Sequence, residues 1–119
     1  MFGQILSQMA YSKKKIATVG EQLRSEREVA KLSLREVGMH TGIDTSLLGK
    51  IERNERHPTK EQIKQLAAFF KINEKELIKE LISDQLAFKI LSEDIDIDTF
   101  RVAEDKVEYL KSNYDGKKN

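Results

Sequence analysis

The 119-residue chain has no cysteine, no tryptophan and a single proline. Without cysteine there are no disulfides and no thiolate metal sites, a composition that suits a reducing compartment. No apolar run approaches the roughly 18 residues needed to cross a bilayer, so no membrane association is expected. The opening residues MFGQILSQMAYSKKK place their basic cluster after the mildly apolar part, the reverse of a secretory signal. These features lead to the expectation of a cytoplasmic protein. Enzyme signatures are also missing: no nucleophile–base pair, phosphate-cradling glycine loop or zinc spacing can be found. His40 and His57 stand too far apart to suggest a metal site. The acidic run EDIDID at 93–98 lacks the glycine and spaced ligands of a calcium loop and is expected to be a solvated linker. The expectation is therefore a non-enzyme without metal or cofactor.

What is present favours helices. Lys, Glu, Leu and Ile are abundant, and hydrophobic residues make up 39%, enough for one modest core. The net charge of +1 is unevenly spread, with +4 through residue 60 and −3 beyond it. This split suggests a polyanion on one side only.

Cap signals place the helices. Thr18-x-x-Glu21 is a capping box opening a helix to about Lys31, with Ile16, Val19, Leu23 and Ala30 in its inner stripe. Ser33-x-x-Glu36 opens a second, which ends near Thr41 with Gly42 as a left-handed cap. Asp44 caps a third, from about Thr45 to Arg53, with Asn54 as a left-handed stop. Thr59-x-x-Gln62 opens a fourth through about Phe70, placing Ile63, Leu66, Ala67 and Phe70 on one face. Asn73-x-x-Glu76 opens a fifth toward Leu91, with Leu77, Ile78, Leu81 and Ile82 facing inward. Asp98 or Thr99 is expected to cap a sixth. In that sixth helix Phe100, Ala103, Val107, Leu110 and Tyr114 recur at spacings of 3 and 4, a heptad-like seam. The final GKKN is expected to fray.

The second and third helices are joined by only about three residues with glycine at the corner, which is helix-turn-helix spacing. Gly38 is small enough for a tight crossing, Ile43 follows the turn glycine, and Leu48, with Leu47 and Ile51, can root the third helix in the core.

The run LSLREVGMHTGIDTSLLGKIERNERHP, followed by TKEQIKQLAAFFKINEKEL, resembles the helix-turn-helix domain of phage repressors and Cro proteins, the XRE type, from about Val19 to Leu81. The resemblance implies an all-α fold: a five-helix repressor-like DNA-binding bundle with an additional C-terminal helix. It also implies that the third helix enters the major groove of double-stranded DNA. By motif position Thr45, Ser46, Gly49 and Lys50 face base edges, and Gly49 gives close backbone approach with no base contact of its own. Arg35, Arg53, Arg56 and Lys60 flank the helix as phosphate contacts. Leu34 stands where the family often has a glutamine, a departure that bears on one such contact. Arg27 and Glu52 match a family pair that forms a structural salt bridge.

The expected organisation is an N-terminal arm at 1–15, a DNA-binding domain at 16–83 and a helical extension at 84–119. Lys13, Lys14 and Lys15 in the arm either reach DNA or form a solubilising tail. The extension either dimerises through its seam, folds back or binds a partner protein. With no room for a ligand domain, regulation is expected from concentration, dimerisation or a partner. The reading is a transcriptional regulator that binds palindromic operators as a homodimer. Alternatives are a controller protein of a restriction–modification operon, or an antitoxin that neutralises a partner through its C-terminal helix.

Overall fold

A computed structural model describes residues 16–114. The proposed arm at 1–15, with Lys13, Lys14 and Lys15, and the terminal GKKN lie outside the described residues. Among those described there are six helices and no strand: α1 Val19–Val29, α2 Leu34–Thr41, α3 Thr45–Glu52, α4 Lys60–Phe70, α5 Glu74–Ser92 and α6 Ile97–Tyr114. The chain is all-α. It divides into two compact units, and the division falls within α5, between Asp84 and Gln85.

The helix starts are set by short polar side chains. Capping boxes open α1 at Thr18, α2 at Ser33 and α4 at Thr59. In each, the hydroxyl accepts from the backbone N–H three residues on, and the Glu or Gln there accepts from the cap's own N–H. Asp44 and Asn73 cap α3 and α5 with a single bond each, from Leu47 N–H and Glu76 N–H. Left-handed residues follow all five of the helices α1 to α5: Lys31 (φ 58°), Gly42 (φ 77°), Asn54 (φ 64°), Lys71 (φ 59°) and Asp94 (φ 53°). At Gly42 the conformation is free of the Cβ penalty that the four side-chain-bearing residues incur.

The first unit is built on one apolar core. Val19, Leu23, Val37, Ile43, Leu48, Ile51, Ile63, Leu66, Ala67, Leu77 and Leu81 are buried, and Ile63 is wholly so. Each large aliphatic side chain there contributes about 1.5–3 kcal/mol of transfer free energy. Every helix from α1 to α5 supplies part of it, so none can leave without opening the rest.

Four sequence expectations need correction. Ile16 is 74% exposed because it precedes the Thr18 cap and is not on the helix. Ala30 is exposed because α1 ends at Val29, where it forms the C-cap. Ile82 is 47% exposed. Leu77 and Leu81 lie four apart on one stripe, and the next residue turns about 100° away from it. Finally, EDIDID is not all linker. The Asp96 carboxylate accepts from Thr99 N–H at 2.8 Å, so Asp96 caps α6 and the helix begins at Ile97, ahead of Asp98 and Thr99. Those hydrogen bonds from Thr99 hold the Asp96 carboxyl below the usual range.

Candidate nucleic-acid interface

Three residues, Gly42, Ile43 and Asp44, turn the chain from α2 into α3. Gly42 N–H donates to Gly38 O at 2.8 Å, closing α2. The Thr41 hydroxyl is buried in the corner, where it donates to Val37 O at 2.8 Å and accepts from Ile43 N–H at 3.3 Å. Ile43 is buried just past the corner, and Asp44 starts α3. The helices cross closely at Gly38, where a Cβ would lie 2.8 Å from Ile43 O and 3.1 Å from Thr45 Oγ1. Any larger residue would force α2 and α3 apart.

A second close approach was not anticipated from the sequence. A Cβ on Gly20 of α1 would collide with the Ile51 carbonyl oxygen of α3 and lie 3.0 Å from Asn54 Oδ1. The Thr18 hydroxyl donates to the same Asn54 oxygen at 2.7 Å. The far end of α3 is therefore held against the start of α1. A glycine early in an amphipathic helix was the available signal, but a lone glycine does not say which backbone approaches it.

An ion pair joins the same two helices. Arg27 Nε and Nη2 donate to the two Glu52 carboxylate oxygens at 2.7 and 3.0 Å, and Arg27 Nη1 donates to Leu32 O at 2.8 Å. The side chains are 16% and 10% exposed. The Glu52 hydrogen bonds raise the Arg27 pKa against the opposing effect of burial. This bidentate pairing turns the one carboxylate within α3 inward, away from its outer face.

That outer face carries Thr45, Ser46 and Lys50, all exposed, while Leu48 and Ile51 are buried on the opposite side. The first turn of α3 holds no acidic residue. Gly49 differs from the three: it is buried, and a Cβ there would lie 3.1 Å from Arg53 Nη1 and 3.6 Å from Leu34 Cδ1. Leu34, half-buried against the core, thus fills the place opposite Gly49 with an apolar contact. Beside this face lies an open depression of about 460 Å³, lined by Arg35, Met39, Asp44 and Thr45.

Arg35, Arg53, Arg56 and Lys60 are all exposed. Arg53 is already engaged: its Nε and Nη2 donate to the Glu55 carboxylate at 2.9 and 3.4 Å. This pairing raises the Arg53 pKa and lowers that of Glu55. Sequence reading missed Glu55, because a spacing of two residues beyond a helix end carries no periodic signal. Both histidines are exposed, and the His40 ring stacks on Phe69 with centroids 5.4 Å apart.

In α6, residues 101–113 are all exposed and Phe100 is half-buried. Ala103, Val107 and Leu110 of the seam are thus solvent-facing in the single chain.

Comparison with known families matches residues 20–80 to the one described as "Helix-turn-helix domain". Comparison with curated proteins and with solved structures finds no match.

Proposed function

Because the chain belongs to the helix-turn-helix domain family, we propose that it is a sequence-specific DNA-binding transcriptional regulator of the XRE type, acting as a homodimer on palindromic operators. The observation that carries this reading is the set of α3. Its inner side is rooted by Leu48 and Ile51, its leading turn lacks carboxylates, and its outer side offers Thr45, Ser46 and Lys50.

In this reading α3 lies in the major groove. Thr45 and Ser46 are short enough to let the backbone come close, and they exchange hydrogen bonds with base edges or touch a thymine methyl. Lys50 donates to guanine O6 and N7, an interaction worth about 1–3 kcal/mol of discrimination. Gly49, buried beside Leu34 and Arg53, makes no base contact in this reading. Arg35, Arg56 and Lys60 meet phosphates, as does Arg53 once its guanidinium is shared with or released from Glu55. These contacts set register and make affinity fall with salt. One bundle covers only a few base pairs, so two copies joined through α6 gain specificity from half-sites about 34–36 Å apart.

The test is fluorescence anisotropy with an inverted-repeat duplex from the chain's own promoter and a scrambled duplex of equal length, over a salt series. Specific binding that weakens steeply with salt is expected. Equal affinity for both duplexes would overturn sequence-specific recognition. Lys50→Ala is expected to erase most of the preference at one base position, whereas Arg56→Ala weakens both duplexes alike. Uniform loss from Lys50→Ala would remove its base-reading role.

A further inference from the structure

The exposed face of α6 carries a charge pattern that selects both its occupant and the occupant's direction. We propose that α6 pairs with α6 of a second copy in antiparallel orientation, with Val107 opposite Leu110 of the other copy. This rests on the homodimer reading above and specifies its geometry.

With Phe100, Val107 and position 114 as heptad a, and Ala103 and Leu110 as d, the flanking e positions are Glu104 and Lys111 and the g positions are Lys106 and Asn113. In a parallel pair, g meets the e position five residues on in the partner helix. Lys106 would then face Lys111 twice across the symmetric interface, a like-charge contact in both places. In an antiparallel pair each flank meets its own kind, e with e and g with g. With Val107 opposite Leu110, Glu104 faces Lys111 twice, and Lys106 faces the neutral Asn113.

The same charges reject the neighbouring registers. A slip of one heptad one way puts Glu104 against Glu104 and Lys106 against Lys106. A slip the other way puts Lys111 against Lys111. The wider distribution within α6 agrees in sign: residues 97–105 carry −2 and residues 106–114 carry +1. Antiparallel pairing sets the acidic half of one helix beside the basic half of the other and opposes their macrodipoles. Val107 and Leu110 are 54% and 45% exposed in the single chain, so each has apolar surface left to bury.

The chain has no cysteine, so introduced ones report cleanly. In the full-length protein without DNA, chains carrying Ala103→Cys mixed with chains carrying Tyr114→Cys are expected to cross-link under mild oxidation. Phe100→Cys alone is expected not to, since the antiparallel register separates its two copies by roughly 25 Å along the axis. The reverse result, a Phe100→Cys disulfide and no mixed product, would overturn the orientation and leave the homodimer intact. A chain that sediments as a monomer and cross-links in neither case would overturn pairing itself, whatever its DNA affinity.

Charge reversal gives an independent reading by sedimentation. Lys111→Glu is expected to weaken dimerisation about tenfold, because two attractive pairs become repulsive. Adding Glu104→Lys restores it. Ser112→Glu, which adds one negative charge at an outward heptad position, leaves dimerisation within about twofold. Tighter association of Lys111→Glu is the parallel result and would sink the proposal.

Discussion

The bundle from residue 16 to 84 and helix α6 put comparable proportions of apolar residues to opposite uses. In the bundle, eleven hydrophobic side chains, ten from five helices and Ile43 from the turn between α2 and α3, are buried together. In α6, Val102, Val107, Tyr109 and Leu110 are at least 45% exposed. The difference lies in what each stripe meets. The bundle stripes are broken into short helices by caps and left-handed stops, so successive faces turn back on one another. The α6 stripe runs unbroken to Tyr114, and a straight helix cannot bury its own face.

Breaking the two regions should therefore give unequal results. Leu66→Ala removes a side chain 1% exposed and is expected to cost about 2–5 kcal/mol by chemical denaturation. Val107→Ala, measured on monomer at high dilution, is expected to stay within about 0.5 kcal/mol of wild type. Near-equal losses would mean that α6 is part of the core.

The ion pairs sharpen the contrast inside the bundle. Arg27→Ala leaves the nearly buried Glu52 carboxylate without its partner and is expected to cost roughly 3 kcal/mol. Glu55→Gln frees an exposed arginine, and no change in unfolding is expected. On DNA it should act in the other direction. Specific and scrambled duplexes are both expected to bind severalfold more tightly, with the salt slope steeper by about one phosphate contact. Unchanged binding would remove Arg53 from the contact surface.

Asp84, the last residue of the first unit, provides an effect that depends on pH. Its carboxylate accepts from Val19 N–H at 2.7 Å, yet its pKa is raised. Burial is the main cause; the Val19 hydrogen bond opposes it, nearby Glu80 adds to it, His57 opposes it and Glu21 adds to it. A group whose folded pKa lies above its unfolded value binds protons more tightly when folded. Its contribution to stability is full below the ordinary aspartate range and is lost as pH rises through the raised folded value. Asp84→Asn keeps an acceptor for Val19 and is expected to flatten this part of the pH–stability curve. Asp84→Ala orphans that N–H and is expected to cost about 1 kcal/mol at neutral pH. A pH profile identical to wild type in Asp84→Asn would remove this residue from the acid response.

Much of the fold was legible because its signals are local. A capping box joins residues three apart, and a left-handed stop depends on one residue, so Thr18, Ser33, Thr59, Gly42 and Asn54 could be read in place. The outward set of Thr45, Ser46 and Lys50 follows from Leu48 and Ile51 on the inward stripe of the same helix. Ile82 and Ile16 were misplaced because hydrophobicity alone does not tell which side of a stripe's edge a residue occupies, or whether it lies on the helix at all. Asp96 was overlooked because four acidic residues in EDIDID compete for one cap, and only backbone geometry chooses among them.

The sequence by itself determined the number of helices from residue 16 onward, the capped starts of α1 to α5, the sharp corner at Gly42 and most of the inward stripes, since each depends on neighbours within about one turn. Tertiary structure alone decided that Gly20 lets α1 lie against the Ile51 carbonyl, that Asp84 reaches back to Val19, that Leu34 fills the space over Gly49, and that Glu55 holds Arg53. Each of these joins groups whose pairing no periodicity encodes, and only the packed chain brings them within a few ångströms.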